Sequence, residues 1–223
     1  MTTILAGGQP LTLLAEKAAF LPACRTLLVA DAHIGKAVSF RALGVPVPRG
    51  TTSETLAGLT ALIARTAPRR VVFLGDFLHS SRSHAAATLA AVAAWRRAHS
   101  RLELVLVRGN HDDRAGDPPA ELGIEVVDEP LASGGLALCH HPTRRPGAYV
   151  LAGHLHPCVS LGGRAYDHLR LPCFWFGDDV GVLPAFGAFT GMHPIRSAPG
   201  ERVFAIAGDV VAATVRPADR IAA

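Results

Sequence analysis

Five short apolar runs in this chain each break off into residues of the metal-binding type, and no other feature constrains its fold as tightly. Leu27–Ala30 runs into Asp31-Ala32-His33, and Val71–Leu74 into Gly75-Asp76-Phe77-Leu78-His79. Leu104–Val107 is followed, after Arg108, by Gly109-Asn110-His111-Asp112. Leu136–Cys139 ends at His140-His141, and Tyr149–Ala152 at Gly153-His154-Leu155-His156. A buried strand that ends in a carboxylate, amide or imidazole aims that group at the rim of a sheet. Five such ends side by side assemble one site from residues far apart in the chain.

Between these ends the pattern alternates strand and helix. Gly35–Leu43, Thr52–Ala67 and His84–His99 have helical spacing, the second with Leu56, Leu59, Leu62 and Ile63 on one face. Pro118–Leu122 fits one helical turn before a strand at Ile124–Val127. Ile4-Leu5 and Leu11–Leu14 read as edge strands around a Gly-Gly-Gln-Pro turn. From about residue 159 the texture becomes strands alone: Val159–Leu161, Leu169–Phe176, Gly181–Leu183, Arg202–Ala207 and Val210–Val215, with Gly208-Asp209 turning the last hairpin. Arg216–Ala223 reads as a loose tail. Alternation followed by a run of strands predicts an α/β protein, with two sheets packed face to face and helices outside. With no repeat or linker, the expectation is one domain over 1–223, its motif-bearing half 1–158 and its strand-rich half 159–223.

Composition narrows the class. The chain has 49% hydrophobic and 18% charged residues, which suits a packed globule rather than a disordered chain. No stretch approaches the about 20 apolar residues of a membrane helix, and the N-terminal residues lack a signal-peptide pattern. The cysteines Cys24, Cys139, Cys158 and Cys173 share no zinc spacing and fit a reducing compartment, so the cytoplasm is the expected location. The net charge is +4, and Lys17 and Lys36 are the only lysines among 22 basic residues. Arginine suits bidentate phosphate contacts, so this balance permits a nucleic-acid substrate without requiring one.

Asp31 and His33 are two apart, as are His154 and His156, a spacing that sends both side chains of each pair the same way from a strand. Asp76 offers a carboxylate with two oxygens and Asn110 a hard amide oxygen. Taken singly, Asp31, Asp76 and Asn110 could be turn formers or helix caps, but that reading leaves the histidines at matching strand ends unexplained. Mixed nitrogen and oxygen donors without thiolate suit Mn, Fe, Zn, Ni or Co. Two-metal sites clamp both oxygens of an in-line displacement and activate water at neutral pH, so phosphoester hydrolysis is the natural chemistry.

The set Asp-x-His, Gly-Asp-x-x-His, Gly-Asn-His-Asp, His and Gly-His-x-His, in order over residues 31–156, resembles the calcineurin-like metallophosphoesterase superfamily. A narrower resemblance covers nearly the whole chain. Leu28–Ala37, Phe40-Arg41, Gly44-Val45-Pro46, Leu171–Phe174 and Leu183–Gly191 are similar to the PdeM family, ligase-associated DNA damage response endonucleases. The resemblance implies a four-layer α/β/β/α sandwich of two mixed sheets, and two divalent ions, with Mn2+ expected and Fe, Zn, Ni or Co as alternatives. One ion is expected on Asp31, His33, Asp76 and His156, the other on Asp76, Asn110, His140 and His154. His111 matches the non-ligand catalytic histidine, with Asp112 expected to orient it. His141 stands where related sequences often carry glycine and is the alternative to His140.

Lys36, Arg41, Arg82 and Arg144 are candidate contacts for substrate phosphates, each with a solvated face as its alternative. His79 either supports the ligands from behind, as His141 does if it is not a ligand, or bonds a loop. The implied function is a DNA phosphodiesterase or endonuclease in repair. Single-stranded or nicked and branched DNA is the implied substrate, and an ATP-dependent DNA ligase the implied partner. Two alternatives stand beside it: a small-nucleotide phosphodiesterase or pyrophosphatase, and a non-enzymatic protein-binding scaffold.

Overall fold

Parallel strands cannot be joined by hairpins, so each needs a crossover segment, and the helices of this chain fall where those crossovers must be. The computed structural model describes residues 1–48, 50–162 and 168–214. The tail at Arg216–Ala223 and the last residue of the strand expected over Val210–Val215 lie outside the described residues.

The first sheet holds seven strands in chain order: β1 (Thr2–Ala6), β2 (Gln9–Leu14), β3 (Ala18–Leu21), β4 (Thr26–Val29), β5 (Arg70–Leu74), β6 (Glu103–Val107) and β7 (Ile124–Val127). β1 to β4 pair antiparallel and β4 to β7 parallel. Helices α1 (Lys36–Ala42) and α2 (Thr51–Thr66) connect β4 to β5, and α3 (Ala86–Ala98) connects β5 to β6. The short α4 (Asn110–Ala115) follows β6. Of the elements in this half, sequence periodicity anticipates the first three helices but not β3 or α4. α4 begins inside the Gly-Asn-His-Asp block, so a segment read as a strand-end motif is also a helix start.

The second sheet holds β8 (Leu131–Ser133), β9 (Leu136–Leu138), β10 (Tyr149–Ala152), β11 (Pro157–Gly162), β12 (His168–Phe176), β13 (Val180–Val182), β14 (His193–Pro194), β15 (Arg202–Ala207) and β16 (Val210–Ala213). Its order is β14-β11-β12-β13-β10-β9-β8, with β15 between β12 and β16. β9, β10 and β13 run parallel, while β12 runs antiparallel to β11, β13 and β15, so this sheet is mixed as well.

Register explains why the motif strands read as continuous apolar runs: both of their faces are covered. Leu28, Val72 and Val105 are neighbours across β4, β5 and β6, and they face Leu138, Leu151, Phe174 and Phe176 of the second sheet. The alternate residues Leu27, Val71, Phe73 and Leu104 face Leu59, Leu62, Val92 and Trp95 of α2 and α3. Each such side chain, fully buried, contributes about 1.5–3 kcal/mol. The outer face of the second sheet carries a smaller cluster, Ala137, Cys139, Val150, Ala152, Val180 and Val182, with Trp175 packed against it. Helices α2, α3 and α4 place Leu59, Val92 and Ala115 in the cluster on the first sheet's outer face, so helical cover lies on that side and the expected α/β fold with two mixed sheets is present. The Phe174-Trp175-Phe176 run is therefore core on one face and cluster on the other. No helix among the described residues is long and apolar enough to cross a membrane.

Candidate metal centre

The expected strand ends meet at one rim. Past β4 and β5 the two chains stay locked in parallel: Asp31 N–H donates to Gly75 O at 3.3 Å, His33 N–H to Asp76 O at 2.8 Å and Ile34 N–H to Phe77 O at 2.8 Å. The second sheet joins at the same place, with Gly153 N–H on His140 O at 3.1 Å and Phe186 N–H on Ala30 O at 2.8 Å. Five of the seven candidate ligands hold a left-handed backbone, with φ of 52° at Asp31, 44° at His33, 50° at Asp76, 70° at His154 and 48° at His156. Non-glycine residues rarely adopt this region, and where they do the strain marks a functional site more often than chance.

The side chains fall into two sets that share Asp76. On one side, Nε2 of His33 lies 3.7 Å from Asp76 Oδ2 and 3.3 Å from Nε2 of His156, which is itself 3.5 Å from Asp31 Oδ1. On the other, Nε2 of His140 lies 3.5 Å from Asp76 Oδ1, 2.9 Å from Asn110 Oδ1 and 3.0 Å from Nδ1 of His154. Thus the two carboxylate oxygens of Asp76 look in different directions, each into its own donor set.

Donors about 2.0–2.2 Å from a common ion stand about 3 Å apart, so this geometry fits divalent metal. The chemistry fits too. Asp31 and Asp76 are 0% and 2% exposed, and their ion-pair partners among the described residues are histidines. Burial, foremost, raises the Asp76 carboxyl, and it pushes His33, His140 and His154 down, keeping their rings neutral and their lone pairs available. Carbonyl oxygens then select the tautomer. Nδ1 of His140 donates to Leu74 O at 3.0 Å and Nδ1 of His156 to Gly191 O at 3.1 Å, which leaves both Nε2 atoms bare and facing other donors. A bare nitrogen facing an amide or carboxylate oxygen, as His140 Nε2 faces Asn110 Oδ1 at 2.9 Å and His156 Nε2 faces Asp31 Oδ1 at 3.5 Å, sets lone pair against lone pair unless a cation sits between them.

His140 and His141 separate cleanly. His140 is fully buried in the cluster, whereas the His141 ring is 40% exposed and turns Nδ1 to Glu129 Oε1 at 3.2 Å. His79 stands behind the cluster, with Nδ1 3.2 Å from Nδ1 of His33. Burial lowers its pKa to about 4.

His111 is placed beside the cluster, its Nε2 4.0 Å from Asp76 Oδ2. Its ring stacks on His79 at 4.7 Å, and Nδ1 donates to the His79 carbonyl at 2.7 Å. That carbonyl does the orienting expected of Asp112. The Asp112 carboxylate is instead fully buried and accepts the N–H of Leu78 and of Gly109, both at 3.0 Å. It ties the second motif loop to the third, and burial raises its pKa to about 6.

Of the candidate phosphate contacts, Lys36 is near: it lines a pocket with His33 and Phe189, and burial lowers its pKa while Asp31 and Asp76 raise it. Arg41 is turned away, donating to Pro48 O at 3.3 Å. Arg82 is exposed in the turn Ser81–His84. Arg144 pairs with Asp179 at 3.6 Å, on the wall of a separate cavity of ≈ 550 Å³. The selecting carbonyls and Glu129 carry no signal in the sequence, because nothing local distinguishes them.

Two glycines make room for the cluster. A Cβ on Gly153 would come 2.6 Å from Asp31 Oδ2, and one on Gly75, which holds φ +79°, would overlap the His140 ring. Gly75→Ala is expected to lower stability by about 1–3 kcal/mol and to weaken metal binding, read by thermal unfolding and metal titration. Wild-type behaviour in both would mean that His140 can move aside freely.

This two-sheet sandwich, with histidines gathered on both sides of one aspartate at the strand ends, defines a metal-dependent phosphoesterase. Among solved structures the chain is similar to Pseudomonas putida nuclease MPE, with 46% identity, 96% of this chain and 99% of that chain covered, and a TM-score of 0.85. At that identity over nearly both whole chains, the protein belongs to the metallophosphoesterase family of that nuclease. Two other structures are too distant to carry an argument. One is a protein of unknown function from Aquifex aeolicus, with 17% identity over 59% of this chain and 78% of that one, TM-score 0.40. The other is Yfce, a phosphoesterase from E. coli, with 14% identity over 83% and 90%, TM-score 0.39. No family model and no curated protein matches the chain.

Proposed function

We propose that the protein is a DNA nuclease that hydrolyses phosphodiester bonds with two divalent ions, Mn2+ foremost. The observation that carries the two-ion reading is Asp76, whose Oδ1 and Oδ2 face separate donor sets at 3.5 Å and 3.7 Å. Asp31, His33, His156 and Asp76 would hold one ion; Asp76, Asn110, His140 and His154 the other. Such ions supply Lewis acidity and lower the pKa of water.

The chain's own residues do the rest. His111 gives Nδ1–H to the His79 carbonyl, so a second proton on Nε2 makes it an imidazolium, the form that can donate to a phosphate or leaving oxygen. Stacking against His79 keeps its ring from swinging away. Lys36 adds a positive charge at the edge of the site. DNA as substrate is supported by the 46% identity to a nuclease. A repair setting and a ligase partner rest on the resemblance to PdeM, and a cytoplasmic location suits four free cysteines.

The test is a Mn2+-supplied assay of single-stranded DNA, duplex DNA and cyclic nucleotides. Cleavage of a DNA substrate with kcat/KM above that for cyclic nucleotides is expected. If cyclic nucleotides alone are hydrolysed, the small-nucleotide alternative replaces this reading.

A further inference from the structure

No motif of the sequence points to Glu129, in the link between β7 and β8, yet its carboxylate gathers four donors. Oε2 accepts the main-chain N–H of His140 at 2.8 Å and of His141 at 2.9 Å. Oε1 lies 3.2 Å from Nδ1 of His141 and accepts from Arg145 Nη2 at 3.5 Å. Burial pushes the Glu129 pKa up, but these N–H groups and His141 outweigh it and leave it below the ordinary value.

The placement has a reason. β9 ends at Leu138, so the N–H groups of His140 and His141 have left the strand ladder and need another acceptor. Glu129 is that acceptor for both. The His140 ring is fixed independently by Leu74 O, and Nε2 then reaches Asn110, Asp76 and His154. Ring and backbone of one ligand are thus anchored from opposite sides, the ring by the first sheet and the backbone by Glu129.

We propose that Glu129 is the positioning residue of the His140 half of the metal centre, setting the affinity of the ion on Asp76, Asn110, His140 and His154. This rests on the two-ion reading. A carboxylate that merely staples a loop would affect folding or both ions together. A positioning residue affects one ion, because the donors Asp31, His33 and His156 make no contact with it.

Mn2+ titrated calorimetrically into metal-free protein tests this. Wild type is expected to take two equivalents. In Glu129→Ala one equivalent weakens by about 10–100-fold, the range for losing an outer partner of a ligand, and the other is unchanged. Glu129→Gln keeps an oxygen acceptor but loses the charge that makes such bonds about twice as strong, so it weakens the same equivalent only a few-fold. Both equivalents unchanged in Glu129→Ala, both weakened alike, or a Gln variant as weak as the Ala one would overturn the proposal. If circular dichroism shows Glu129→Ala unfolded, Glu129→Gln decides alone: a few-fold loss confined to one equivalent supports the role, and no loss or a uniform one removes it. A wild type that binds fewer than two equivalents defeats the two-ion reading itself, and this proposal with it, before any variant is compared.

Discussion

Asp76→Ala is expected to lose tight binding of both ions and to lower kcat/KM by about 10³-fold or more, since bound metal supplies several kcal/mol of transition-state stabilisation. Asp76 is the only residue placed in both donor sets, with Oδ2 3.7 Å from His33 Nε2 and Oδ1 3.5 Å from His140 Nε2. Removing any other ligand leaves one set whole. Removing Asp76 also frees the His111 N–H, which donates to Oδ1 at 2.9 Å. The fold itself should tolerate the change. In the metal-free protein a carboxyl whose folded pKa is raised, here mainly by burial, works against folding once the pH exceeds its unfolded value, so at neutral pH without added metal its loss removes an unfavourable group. Elemental analysis and a melting curve check both halves. Two tightly held ions in a folded Asp76→Ala would refute the assignment of Asp76 to both donor sets.

His111→Ala is expected to give the opposite pattern: both ions retained, with turnover down by about 10²–10⁴-fold, the usual weight of a positioned acid. The backbone N–H that supports Asp76 survives this substitution, and no donor atom of either set is touched. What disappears is the ring beside Asp76, held by the His79 carbonyl and stacked on the His79 imidazole. Metal content and steady-state kinetics separate the two variants. Full turnover in His111→Ala would remove the role assigned to it, and loss of metal would make it a ligand.

The contrast between these variants was legible in the sequence because it depends on which residues end which strands. Asp31, Asp76, Asn110 and His154 follow apolar runs, and strands buried on both faces deliver their next residues to a common rim whatever the details of the loops. The helices Thr51–Thr66 and Ala86–Ala98 were legible for the same reason, being periodic. What local pattern could not reveal was how the side chains are held. The carbonyls of Leu74, His79 and Gly191 choose tautomers, and a carbonyl is present at every residue. Asp112 sits next to His111 in the chain but bonds the backbone of the preceding motif at Leu78, a matter of the loops' mutual packing. Arg41 and Arg144 were plausible by proximity in sequence, yet their guanidinium groups find Pro48 and Asp179 instead.

The left-handed backbone at Asp31, His33, Asp76, His154 and His156 has a thermodynamic corollary. Each such residue opposes folding by roughly 1 kcal/mol, and that cost is concentrated within one rim rather than spread through the sheets. Ions that bind the folded rim and not the open chain counter it by mass action. The melting temperature of this protein is then a gauge of free metal concentration, rising with supply even when no substrate is present.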